Sequence, residues 1–162
     1  MAQKFDVYDG DGKAVLTGVS SPITIPDLTP NTTYKGYQVA PTGTTEMHPV
    51  DDIVTDDEPA SAPTLAVTSG NGQVSYTITP GDNAGSAVTS YRMYYASATD
   101  TDMIAVELGD QVTGTVMGLA NGVGYTFEAV SINNAGESDR SNDVTVTPVD
   151  PNASATTTDD SE

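Results

Sequence analysis

A chain of 162 residues with 23 acids against 5 bases carries a formal charge of −18. Such a surface repels phosphate backbones and anionic lipid, which argues against nucleic acid and membrane as partners. The absence of cysteine leaves no disulfide framework. With His48 the lone histidine, it also removes Cys–His metal sets and Cys–His nucleophile pairs.

Hydrophobic residues make up 36%, with 15 glycines, 10 prolines and no tryptophan. That supports a modest core, and two separate halves would each lie near the lower limit of independent stability. The start "MAQKFDVYDG" has no apolar h-region, and no apolar run approaches the ~18 residues of a membrane helix. Neither signal-peptide secretion nor membrane anchoring is therefore expected.

In chain order, the first signal is "DGDGK" (9–13). A calcium loop with Gly12 in its sixth position would begin at Val7 and end at Gly18, neither of which can ligate through a side chain. The stretch reads instead as a hairpin turn between "FDVY" and "KAVL". Next comes "LTPNTTY" (28–34), a Pro-Asn turn enclosed by a leucine and a tyrosine, and "LANGVGY" repeats the pattern at 119–125. In such a corner the leucine closes one sheet and the turn crosses to the other. The tyrosine hydroxyl can then bond the backbone upstream. Leu28, Tyr34, Leu119 and Tyr125 are thus structural.

Counting by two from Tyr34 reaches Gly36 and Gln38, whereas Tyr37 and Val39 share the opposite phase. A bulge at Gly36 would restore them to one face. The acids Asp51, Asp52, Asp56, Asp57 and Glu58 read as solvated, and residues 56–61 as a linker. The sequons at Asn31 and Asn152 read as coincidental, and the turn accounts for Asn31.

From residue 62 to 148, seven strand candidates follow at short intervals: 64–68, 73–79, 88–95, 103–108, 112–117, 125–132 and 143–147. They alternate in period two, as in Val74, Tyr76 and Ile78, in Tyr91, Met93 and Tyr95, and in Tyr125, Phe127 and Ala129. No window carries an apolar stripe at helical spacing, so the fold class is all-β, and this strand density is that of a β-sandwich. The polar stretch from 149 to 162 has too little apolar area to offset its ordering entropy and is expected to be a disordered acidic tail.

No G-x-S-x-G elbow occurs, and the chain is too small for a glycosidase cleft with a substrate platform. No catalytic residue, metal or cofactor is expected, and the protein reads as non-enzymatic.

Residues 62–148 resemble a fibronectin type III domain over their whole length. "VSYTITPGDNAGSAVTSYRMYY" looks like that family's B strand, BC loop and C strand. "LANGVGYTFEAVSINNAGESDRSNDVTVTP" looks like its tyrosine corner, F strand, FG loop and G strand. One departure is Tyr76, which stands where the family usually has a core tryptophan. The resemblance implies that the BC loop (80–87) and FG loop (133–141) share one end of the sandwich. Asp82, Asn83, Asn133, Asn134 and Glu137 are then candidate surface-binding residues. "ESDRSND" holds no Arg-Gly-Asp.

Aligning the two corners assigns 5–8 to strand C, 13–16 to C′, 22–25 to E, 35–40 to F and 51–55 to G, with nothing ahead of Phe5 to supply A and B. The expectation is a small incomplete Ig/fibronectin-like β module (1–55) followed by a seven-stranded fibronectin type III β-sandwich. A sandwich without two strands has bare backbone at an edge and uncovered apolar side chains. Either the module closes on itself with a rearranged sheet, or another protein completes it. Phe5, Val7, Tyr8, Tyr37 and Val39 are the candidate partner-binding residues.

This layout also resembles tailed-bacteriophage virion accessory proteins, head decoration proteins most of all. It implies a structural protein assembled in the host cytoplasm and carried on the outer capsid surface of the virion. The first module would dock on the major capsid protein and the second project outward, with host-surface glycans as a further partner. Alternatives are a phage tail accessory protein and a bacterial carbohydrate-binding or adhesion module, for which Tyr94 is the candidate exposed aromatic.

Overall fold

The computed structural model describes residues 2–152. The chain divides into two compact units, Met1–Glu58 and Pro59–Glu162. Both are built from strands and turns, with no helix among the described residues.

In the first unit, β1 (Lys4–Tyr8), β2 (Ala14–Ser20), β4 (Gln38–Pro41) and β5 (His48–Pro49) form an antiparallel sheet in the order β2-β1-β4-β5. Two short strands, β3 (Thr33–Tyr34) and β6 (Ile53–Val54), pair separately. The β1–β2 turn is the "DGDGK" stretch. There Asp9 N donates to Lys13 O, and the Asp9 carboxylate accepts from the amides of Asp11 and Lys13. That carboxylate caps a hairpin, as the Asp-Gly pattern predicts.

Further along, β1 and β2 slip register twice. Asp6 fills the irregularity, its Oδ1 accepting from Gly18 N at 2.7 Å and from Thr42 Oγ1 at 2.9 Å. Gly18 takes a φ of +63°, the left-handed conformation that suits a bulge.

Strand F is interrupted between β3 and β4, where Gly36 has a φ of +72°. A Cβ on Gly36 would lie 3.2 Å from Gly10 Cα, and one on Gly10 would lie 2.6 Å from Lys35 O. The Asp9 turn therefore packs directly on the interruption, and only glycines admit that approach. Strand G follows the kink as β5 and β6, joined by Val50 N donating to Tyr37 O.

"PITI" (22–25), expected as strand E, forms no strand. In the resembled fold that strand draws its ladder from strand B, and no strand among the described residues pairs with this segment. Pro22 and Pro26 also lack amide donors. The segment runs unpaired and contributes Ile23, Ile25 and Leu28 as half-buried side chains.

Among its described residues the second unit has eight strands: β7 (Thr64–Gly70), β8 (Gln73–Thr79), β9 (Ser90–Ser97), β10 (Ile104–Gly109), β11 (Thr113–Met117), β12 (Tyr125–Asn133), β13 (Gly136–Glu137) and β14 (Val144–Val146). One sheet runs β11-β8-β7, and the other runs β10-β9-β12 with β13 and β14 both on the far edge of β12. Leu65, Val74, Tyr76, Ile78, Val116 and Leu119 from the first sheet and its corner meet Tyr91, Met93, Phe127 and Ala129 from the second. Tyr95 stacks on Phe127 with centroids 5.4 Å apart. Tyr76 lies opposite Gly114 across the β8–β11 ladder and fills the space that glycine leaves.

Between β13 and β14 the ladder is carried by serines. Ser138 Oγ accepts from Ser131 N, and Ser141 Oγ accepts from Ala129 N. Asn142 bridges the sheets, its Oδ1 accepting from Leu65 N and its Nδ2 donating to Leu65 O, each at 3.0 Å. At the other end of β7, Val149 N donates to Gly70 O.

Within the expected linker (56–61), Asp56 O accepts from Asn31 N, Ser61 N donates to Asp82 O, and Ala60 is buried. Of the expected tail (149–162), residues 153–162 lie outside the described residues.

Candidate functional site

The two units differ sharply in how much apolar side chain they bury. Among the described residues, the buried hydrophobics of the first are Val7, Tyr37 and Ala40, whereas the second buries twelve. A sheet with one thin layer behind it gains little from the hydrophobic effect, since stabilisation scales with apolar area removed from water.

The register places Phe5 and Val7 opposite Pro41 and Val39, so Phe5, Val7 and Val39 share one face of the sheet. Tyr8 follows Val7 and points to the opposite face, beside Gln38. Tyr37 packs edge-to-face on the corner residue Tyr34 with centroids 6.1 Å apart. The five candidate partner-binding residues therefore do not form one patch. Val7 and Tyr37 are buried and can only support a surface, while Phe5, Tyr8 and Val39 are half-buried.

The exposed large hydrophobics of this unit are Val15 on β2, Val54 on β6, and Met47 and Val50 beside β5. Sequence reasoning missed all four. Their signal was position: each lies on or beside an outer strand, where one backbone edge has no partner among the described residues. Strand β2, "AVLTGVS", has neither a charge nor a proline to blunt that edge.

Both corners close as expected. Tyr34 Oη accepts from Thr29 N at 2.7 Å, and Tyr125 Oη accepts from Ala120 N at 3.1 Å, each five residues upstream.

The loop residues of the second unit are bound to one another. Asn83 Nδ2 and Asn133 Nδ2 both donate to Ser86 O, and Asn134 N donates to Ser86 Oγ. Asn133 Oδ1 accepts from the amides of Ala135 and Gly136, and the residue is buried. Of the five candidates, Asn133 thus serves the turn, and Asp82 lends its carbonyl to Ser61.

Glu137 joins a ladder across the outer face of the larger sheet. Arg92 bridges Glu107 and Glu137, while Arg140 pairs with Glu128. Hydrogen bonds to Tyr94 and then Glu107 push the Arg92 guanidinium further toward its charged form, and the bond to Glu128 does the same for Arg140. Arg140 Cζ lies 4.1 Å from the centre of the Tyr94 ring, a cation–π contact. That face of Tyr94 is covered, and the ring offers less to a stacking sugar than its sequence position suggests.

His48 is exposed on β5. No three His, Cys, Asp or Glu side chains converge as a metal site among the described residues. No helix there is long and apolar enough to cross a membrane.

No family profile matches the chain, and no curated protein matches it. Solved structures do. The titin kinase with its flanking domains superposes with a TM-score of 0.51 at 21% identity, covering 56% of this chain and 17% of that one. The twitchin kinase region from C. elegans gives 0.52 at 19% identity, covering 57% and 17%. The FN5 domain of Drosophila Lar is matched over 98% of its length and 56% of this chain, with a TM-score of 0.48 at 16% identity. The chain spans under a fifth of the titin and twitchin structures, and at these identities the likeness is one of fold: an all-β sandwich of the fibronectin type III and Ig-like kind.

Proposed function

We propose that this chain is a non-enzymatic virion structural protein, a capsid decoration protein. Its first unit docks on the major capsid protein, and its second is displayed outward at the particle surface. The observation that carries the reading is the thin layer behind the sheet of the first unit. Among the described residues, its four-stranded sheet faces no three-stranded sheet like β11-β8-β7, and it buries three hydrophobic side chains where the second unit buries twelve. A bare edge at β2 and half-buried Phe5 and Val39 are what strand addition or face docking requires. The acidic surface favours a hydrated coat that resists self-association. A ligand that binds only the assembled shell also stabilises that shell by mass action.

The test is co-sedimentation of the full chain with shells assembled from purified major capsid protein, followed by imaging of the decorated particles. Saturable binding at fixed lattice positions, lost in Phe5→Asp, is the expected result. Binding at a ring or fibre in place of the lattice would transfer the reading to a tail accessory protein. No binding to shells would overturn capsid docking.

A further inference from the structure

The sequence contains two Asn-Gly pairs, Asn71–Gly72 and Asn121–Gly122, fifty residues apart. Asn-Gly is the pair most prone to spontaneous deamidation, because glycine leaves its own amide nitrogen unhindered. That nitrogen attacks the asparagine side-chain carbonyl carbon. A new C–N bond closes a five-membered succinimide, and the side-chain nitrogen leaves as ammonia, taking up the amide proton. Water then opens the ring to aspartate or isoaspartate. The reaction needs no oxidant, reductant or enzyme.

The fold brings the two pairs together. Asn71 sits in the β7–β8 turn, closed by the Gly70–Gln73 pair. Asn121 sits in the corner before β12. Asn121 Oδ1 accepts from Gly72 N at 2.8 Å, and Asn121 Nδ2 donates to Asn71 Oδ1 at 2.7 Å. Leu119 N donates to Gly72 O at 3.0 Å, which clamps the same residue from its other side. One asparagine therefore holds both reactants of its neighbour's deamidation: the attacking amide and the carbonyl it would attack. The attacking amide of Asn121 itself is engaged separately, with Gly122 N donating to Pro148 O at 2.8 Å.

We propose that Asn71 is a latent deamidation site and that Asn121 is the positioning residue that keeps it unreacted. Attack requires Gly72 N to leave Asn121 Oδ1 and swing toward the Asn71 side chain. Every opening of this corner exposes the site, and each reaction is recorded irreversibly. Isoaspartate at 71 would lengthen the backbone within a turn whose two ends are already paired, while aspartate would add a negative charge there.

The experiment ages the full chain at neutral pH and follows residue 71 by peptide mapping. The readouts are the mass gain from replacing NH2 by OH and the isoaspartate content. Wild type is compared with Asn121→Ala, with Asn121→Asp and with wild-type chain held unfolded in urea.

The folded wild type should react more slowly than the unfolded chain. Asn121→Ala should speed conversion of Asn71 about three- to tenfold, the factor that corresponds to one hydrogen bond of ordinary net strength. Asn121→Asp keeps an oxygen for Gly72 N but loses the donor to Asn71 Oδ1, so its rate should lie between those of wild type and Asn121→Ala. Equal rates in folded and unfolded wild type, or equal acceleration by Ala and Asp, would overturn the proposal. Should the Ala variant fail to fold by circular dichroism, the Asp variant and the urea comparison still decide it.

Discussion

Replacing Gly114 by alanine should test how the second core is closed. A Cβ at this position would lie 2.5 Å from Tyr76 Oη, 2.8 Å from Cζ and 2.9 Å from Cε1, where ordinary contact begins at 3.4 Å. Tyr76 cannot easily retreat. It is buried on the inner face of β8, between β11 and its β7 partner Val67. Forcing a methyl into such packing costs about 1–3 kcal/mol. Against this, removing glycine from a strand interior returns about 0.5–1 kcal/mol. The net expectation is destabilisation by about 1–2 kcal/mol, read from urea unfolding followed by circular dichroism. In a Tyr76→Leu background the ring is gone, and Gly114→Ala should become neutral or stabilising by about 0.5 kcal/mol or more. The same loss in both backgrounds would refute the ring–glycine account and place the cost in the β11 backbone.

Three further outcomes follow from the same core. Asn142→Ala strips both partners from the Leu65 backbone, whose side chain is buried, and should lower stability by about 2–4 kcal/mol in the same urea assay. Ser131 Oγ is buried without a hydrogen-bond partner among the described residues, so Ser131→Ala should leave the melting temperature unchanged or raise it; a loss of about 1 kcal/mol or more would show that the hydroxyl is satisfied. Burial raises the Tyr76 and Tyr91 pKa values above 10.0, so the folded state holds these protons longer than the unfolded chain does. Stability from this source is complete below pH 10.0 and is lost as pH rises through the folded values. The tyrosinate absorbance that Tyr76→Phe and Tyr91→Phe remove should therefore appear together with alkaline unfolding, and Tyr76→Phe should shift that transition upward.

The strands of the second unit were legible because each buries one face, which writes a period of two into the sequence. The corner was legible because leucine, turn and tyrosine are all local. Gly36 was legible from a break in phase alone. What stayed hidden depends on partners distant in sequence. "PITI" has a strand's composition but no neighbour to pair with, and a ladder cannot be read from one side. The short β13 and the serines that stand in for ladder amides resemble any polar loop in sequence. Tyr8 and Val7 looked equivalent as apolar neighbours, yet alternation sends them to opposite faces. The covering of Tyr94 by Arg140 could not be foreseen, because the two residues are far apart along the chain.

The links between β7 and the last strand also decide how the second unit would bear a load. Leu65 meets Asn142 at one end of β7, and Gly70 meets Val149 at the other, so the two segments run side by side in the same direction. Tension applied at Thr64 and at Val149 pulls them past each other lengthwise. The two Asn142 bonds and the Val149–Gly70 bond are then strained together in shear, with none opened ahead of the rest. Under such tension the second unit would yield at this seam all at once, and Asn142, holding two of the three bonds, sets its threshold.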